Sequence, residues 1–152
     1  MKTGARHQAR EAALQILYQW EVGRVPPAEA ASAHWEIEQD GPGLAEPGRR
    51  FAEDLALGTV SRLLSIDPLI EQYAQHWRLD RMAAIDRLIL RLAVYEFLYC
   101  RETPRTVVID EAIELARTYS EQDAVRFVNG VLDGIHHALA SGAAGMGPGT
   151  ES

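Results

Sequence analysis

Met82 to Cys100 (MAAIDRLILRLAVYEFLYC) is the stretch that most narrows what this chain can fold into. Ile85, Leu88, Ile89 and Leu92 recur at helical spacing, and Leu90, Val94, Phe97 and Leu98 place apolar residues on the other faces. A helix apolar nearly all round must be covered on several sides. The stretch is too short to span a membrane, and it carries Asp86, Arg87, Arg91 and Glu96. The expected fold class is all-α, with this helix at the centre of the others.

The rest of the composition agrees with one compact domain over residues 1–141, since 47% of 152 residues are apolar. The formal net charge is -7, so the chain as a whole is no general polyanion binder. Its charge is uneven. Residues 1–10 hold Lys2, Arg6 and Arg10 with His7 between them and no acid, on an otherwise acidic body. Such a distribution implies one local anionic partner and a separate acidic face. Cys100 is the single cysteine, which excludes an internal disulfide and a cysteine-based zinc site; a small buried thiol is expected. No apolar signal region opens the chain, and the expected location is cytoplasmic.

Taken in order, Ala5 to Val22 reads as a helix with Ala9, Ala13, Ile16, Leu17 and Trp20 inward and Arg6, Gln8, Arg10 and Gln15 off that stripe. Arg6 and Arg10 are i, i+4 neighbours and can address one anion. Gly23 ends this helix. A short helix is expected over 28–39, anchored by Trp35 and Ile37, then a loop over 40–48. The third helix is expected over 49–64, with Phe51, Leu55, Val60 and Leu63 or Leu64 inward. Asp67-Pro68 has the form of an N-cap and first helical residue for a fourth, running to about Trp77. Asp80 is expected to cap the central helix. Thr103-Pro104 opens another helix to Tyr119, and Ser120 to Asp123 has the form of a capping box for the last. Residues 142–152 are expected to be a disordered tail. The sum is six or seven helices.

Motifs for catalysis are missing: no Gly-rich phosphate loop, no H-E-x-x-H, no nucleophile elbow. The histidines stand apart at 7, 34, 76, 136 and 137, and the adjacent pair points in directions about 100° apart on a helix. Asp110 and Glu114 share a helical face and could hold a metal, but ion pairs with arginine are the plainer reading. Arg91, inside the most apolar helix, calls for a carboxylate, with Glu111 or Glu114 expected. Nucleic-acid recognition fits better. Arg126 and Phe127 adjoin in the second turn of the last helix, where Val125, Val128, Val131 and Leu132 can fill the core side. A partly exposed aromatic beside an arginine is a platform for an unpaired base. Asn129 and Gly130 read as close-packing residues.

Four segments then resemble one known family: A-R-x-x-A-R-E-x-A-x-Q-x-L-Y-x-W (Ala5 to Trp20), L-R-L-A-V-Y-E (Leu90 to Glu96), V-V-I-D-E-A-I-E-L-A-R (Val107 to Arg117) and R-F-V-N-G-V-L-D (Arg126 to Asp133). Together they are similar to the NusB family of bacterial transcription antitermination factors, in order over about residues 5–135. The resemblance implies an all-helical fold of about seven helices in two packed bundles, and no catalysis. It implies binding to the boxA element of ribosomal RNA leaders with NusE, also a small-subunit ribosomal protein. With other Nus factors on RNA polymerase, that pair would suppress premature termination.

By position, Lys2, Arg6 and Arg10 match the family's arginine-rich arm, with His7 and Gln8 where arginines are common. Arg126 and Phe127 match its RNA-facing pair, and Asp123 matches an acidic position beside the RNA. Tyr18 and Asp86 match the NusE-facing surface. The arm and the start of the last helix are expected to form one RNA face, with no cofactor and no metal. The alternatives are a helical protein–protein adapter, including a homodimer that buries the arm, and a module of the kind that precedes the catalytic domain of some ribosomal RNA methyltransferases.

Overall fold

The computed structural model describes residues 4–38, 43–75 and 77–142. Lys2, His76 and, apart from Gly142, the expected tail lie outside them. Every regular element among the described residues is helical. The chain divides into two compact units, Met1–Ser61 and Arg62–Ser152.

The first unit holds α1 (Ala5–Glu21), α2 (Pro27–Glu38) and α3 (Gly48–Ser61). α1 packs on both other helices, so its buried surface is broader than one stripe. It takes in Ala12, Leu14, His7 and Arg10 as well as Ala9, Ala13, Ile16 and Leu17. Ala9, Ala12, Ala52 and Leu44 form a cluster of mostly small residues, against which Trp35 and Phe51 pack. Arg10 was expected off the apolar stripe; it is 4% exposed. Ile37 was expected as an anchor and is 81% exposed, because α2 buries its alanines, Ala30 and Ala31, instead. Trp35 is held by a hydrogen bond from its Nε1 to Glu53 Oε2, 2.5 Å. Burial lowers the pKa of the neighbouring His34, and Glu38 partly opposes this. Past α1, a Cβ on Gly23 would come within 2.7 Å of the Gln19 carbonyl oxygen, which is why glycine follows this helix end.

The second unit holds α4 (Leu63–Tyr73), a single 3-10 turn (Leu79–Arg81), α5 (Ala84–Tyr99), α6 (Arg105–Tyr119) and α7 (Gln122–Ser141). α5 packs against α4, α6 and α7. Every residue from Leu88 to Val94 is buried, as an all-round apolar helix requires. Each fully buried leucine or isoleucine there contributes about 1.5–3 kcal/mol. Cys100 is only half-buried, because it lies at the end of α5 rather than inside it. Gly134 marks where α7 meets α4: a Cβ on it would sit 3.2 Å from Tyr73 Cδ1. Gly130 has open space around it and Asn129 is exposed, so neither serves close packing.

Three expected caps do not form, and two of those residues make longer-range contacts instead. α4 starts a turn before Asp67-Pro68, because Ile66 and Ile70, four apart, are both fully buried and draw that turn into the helix. Pro68 then lies inside α4, where the carbonyl it leaves without an N–H belongs to Leu64; that residue, expected in the core, is 92% exposed and open to water. Asp67 pairs instead with Arg91, Nε to Oδ1 at 2.9 Å and Nη2 to Oδ2 at 3.0 Å. The expectation for Arg91 named Glu111 or Glu114; Glu114 accepts from Arg117 at 2.7 Å. Asp80 belongs to the 3-10 turn, and Ala83 occupies the N-cap of α5. Glu121, not Ser120, is the N-cap of α7, and no side-chain cap bond is made there. Ser120 Oγ donates to Asp86 Oδ1 at 2.7 Å, a bond to a charged group, where the box would have had it accept from a backbone N–H.

Candidate functional site

The sequence-predicted residues fall into two groups, one in each unit. In the first, the Arg6 guanidinium carbon lies 3.8 Å from the centroid of the Phe51 ring and that of Arg10 5.4 Å from it. The i, i+4 spacing does bring both guanidinium groups to one place, on a ring supplied by α3. Arg6 is exposed, while His7 is buried with its Nε2 3.6 Å from Glu11. A guanidinium over an aromatic face keeps its N–H donors at its edge, where a phosphate could accept them. Phe51 was expected simply as core; it is half-buried, with both guanidinium groups close to its ring. Tyr18, on α1, is 37% exposed, and Val22, just past the end of that helix, is 48% exposed.

In the second unit, the start of α7 and the segment before α5 enclose a groove of about 400 Å³, lined by Trp77, Arg81, Met82, Asp86, Asp123 and Phe127 among others. The local folding of that segment is explicit. Arg87 Nη1 donates to the carbonyls of Leu79 (2.9 Å) and Met82 (3.0 Å), and Glu71 Oε2 accepts from the Leu79 N–H at 3.2 Å. These bonds fix the 3-10 turn and the groove wall it forms. The floor is apolar, while Asp86, Glu121 and Asp123 supply three carboxylates. Phe127 is half-buried and meets Trp77 edge-on, centroids 6.3 Å apart and planes at 69°. Trp77 is 55% exposed. Arg126 and Asp123 are exposed.

Asp86, expected on a protein-facing surface, thus shares one groove with Asp123 and Phe127, expected at RNA. Trp77, Arg81 and Glu121 were missed. Trp77 read only as a helix end, and its one signal was an aromatic followed by the cationic Arg78 and Arg81 outside any apolar period. Among the described residues no group of three or more His, Cys, Asp or Glu could hold a metal. His136 Nδ1 instead accepts from Arg105 Nε at 3.0 Å. No described helix is long and apolar enough to cross a membrane.

Known proteins match this architecture closely. The NusB family model matches residues 7–137. The transcription antitermination protein NusB of Koribacter versatilis is 44% identical over 139 residues, 91% of this chain and 93% of that protein. A solved structure of T. maritima NusB superposes with a TM-score of 0.77 at 36% identity, covering 90% of this chain and 93% of its own. A crystal structure of the antitermination factors NusB and NusE in complex with double-stranded RNA gives 0.78 at 28% identity, covering 88% and 97%.

Proposed function

This chain belongs to the NusB family of antitermination factors, and from that premise we propose that it binds boxA RNA of ribosomal RNA leaders together with NusE. The pair then joins other Nus factors on RNA polymerase. The observation that carries the RNA half of this reading is Arg6, an exposed guanidinium whose carbon lies 3.8 Å from the centre of the Phe51 ring. A cation already ordered in this way loses less freedom on binding phosphate. Lys2, His7 and Arg10 are the arm's other RNA-binding residues, Arg126 meets phosphate, and Phe127 stacks on a base. Tyr18, with Val22 beside it, and Asp86 meet NusE, whose basic character suits a chain of net charge -7. The likeness to a NusB and NusE complex with RNA supports both partners.

The experiment is a titration of a short boxA RNA and a scrambled control at fixed salt, with and without NusE. boxA RNA is expected to bind more tightly than the control, NusE to tighten it further, and Arg6→Ala to weaken it several-fold. Repeated over a range of salt, the titration of Arg6→Ala should show a slope shallower by about 0.7 for each phosphate that the arginine neutralises on single-stranded RNA. No preference for boxA in the presence of NusE would reject the reading in favour of a helical adapter, and a concentration-dependent dimer without RNA affinity would identify a homodimer.

A second expectation concerns Asp123. It lies in the first turn of α7 and is exposed, so its charge opposes phosphate while forming no side-chain cap. Asp123→Asn is expected to tighten RNA binding a few-fold, at a stability cost of roughly 0.3–1 kcal/mol from the weakened helix-dipole interaction. Isothermal titration against boxA RNA decides it; equal or weaker affinity rejects the role.

A further inference from the structure

The exposed cation of the arm has a neighbour on α3. We propose that Arg50 is a second phosphate-binding residue of the same RNA face, so that the strand held at Arg6 continues across the start of α3; this rests on the RNA-binding reading above.

Between Gly4 and Arg10 the arm presents one exposed cation. Arg6 is exposed, Gln8 is exposed but neutral, and His7 and Arg10 are 7% and 4% exposed. One guanidinium at the surface neutralises about one phosphate, whereas an RNA strand carries a charge at every nucleotide. Among the described residues, a cation for the next phosphate has to come from another element. The Arg6 guanidinium carbon lies 3.8 Å from the centroid of the Phe51 ring, and Arg50 directly precedes Phe51 in α3 and is exposed. Its side chain leaves the helix about 100° round from the ring, so the two arginines do not compete for it. Arg6 and Arg50 are thus both adjacent to one side chain, within the span of one short strand.

The fold gives Arg50 no other task. The first turn of α3, from Gly48 to Phe51, holds two arginines and no acid. The helix macrodipole favours carboxylates there and disfavours cations. Arg49 is explained by its contacts: its Nε donates to the Leu44 carbonyl at 2.8 Å, and its guanidinium carbon lies 5.3 Å from the centroid of the Trp35 ring. The Arg50 side chain has no hydrogen-bond or ion-pair partner among the described residues. Of the acids one turn on, Glu53 accepts from Trp35. Asp54 follows Arg50 by four residues, with the cation N-terminal to the acid, the weaker orientation of such a pair. An unpaired guanidinium keeps its donors for an anion, and its planar fork matches phosphate. α3 therefore supplies both the ring beside one arginine and the next arginine itself.

The test titrates the full chain with boxA RNA and its scrambled control over a range of salt, at a fixed concentration of NusE. Arg50→Gln removes the charge and keeps a good helix former. It is expected to weaken both RNAs about threefold at fixed salt, the scale of one exposed ion contact. Its salt slope should be shallower by about 0.7, and that of the Arg6→Ala, Arg50→Gln double variant by about 1.4, one phosphate for each arginine. The preference for boxA over the control should not change, because a phosphate contact carries no sequence information. Arg50→Lys should keep most of the slope. Arg101→Gln, which removes an exposed arginine of the other unit, should leave affinity and slope as they are.

If boxA RNA is preferred but Arg50→Gln leaves the slope unchanged, or alters the preference, the phosphate contact is overturned while the RNA reading stands. An equal loss in Arg101→Gln would assign the effect to net charge and overturn it as well. If boxA is not preferred even with NusE present, the RNA reading itself has failed and Arg50 falls with it.

Discussion

Asp67→Ala is expected to destabilise the protein by about 3 kcal/mol, because it strips a two-bond partner from a guanidinium inside the core of the second unit. The Arg91 side chain is 10% exposed and that of Asp67 27%, so the pair is screened little by solvent. Its geometry is a fork on a fork, with both bonds near 3 Å. Removing one member of a buried pair costs more than the pair contributes in net terms, since the remaining charge keeps its desolvation penalty. Asp67→Asn should cost less, because an amide oxygen still accepts one of the two bonds. Chemical denaturation of the three proteins measures the order. Equal stability of wild type and Asp67→Ala would mean that the fork contributes nothing, and that Arg91 is satisfied by its other surroundings.

Phe127→Ala is expected to weaken boxA RNA binding by roughly 5- to 150-fold, the range for losing one stacked base. The ring is half-buried and meets Trp77 edge-on, so the core does not cover it wholly. Val128, Val131 and Leu132 fill the inward side of α7 and should hold the helix in place without it. The salt dependence separates stacking from charge. Phe127→Ala should lower affinity at every salt concentration and leave the slope alone, whereas Arg126→Ala should flatten the slope by about 0.7. Phe127→Leu, which restores apolar volume without a π-face, should recover little. Unchanged affinity of Phe127→Ala, or full recovery by leucine, would make the ring ordinary packing and remove it from the RNA site.

Both predictions depend on contacts that the sequence did not specify. Asp67 pairs with Arg91 across 24 residues, and Phe127 meets Trp77 of a separate segment; Ser120 likewise bonds Asp86, 34 residues away. Asp67-Pro68 and Ser120 to Asp123 carry local signatures of helix starts, and each lost to a distant partner. A cap bond is worth about 1 kcal/mol. A fork to a buried guanidinium or a bond to a half-buried carboxylate is worth more, so the chain gave up the cap. Arg10 shows the same limit on a face rather than at an end. Nothing in its spacing said that α1 would be covered on two sides, or that a ring from α3 would receive its charge.

By itself the sequence determined that the protein is helical, that Leu88 to Val94 must be covered all round, and where α1, α5 and α7 run. Periodicity reports which faces of a helix are apolar, and four intact family segments reported the family. Only the tertiary structure decided which carboxylate answers each arginine, that Phe51 bears Arg6 and Arg10, and that Trp77, Arg81 and Asp86 join Phe127 around one groove. Those outcomes depend on which side chains separate elements bring within about 3–6 Å, and a pattern within one helix carries no information about the helix that will face it.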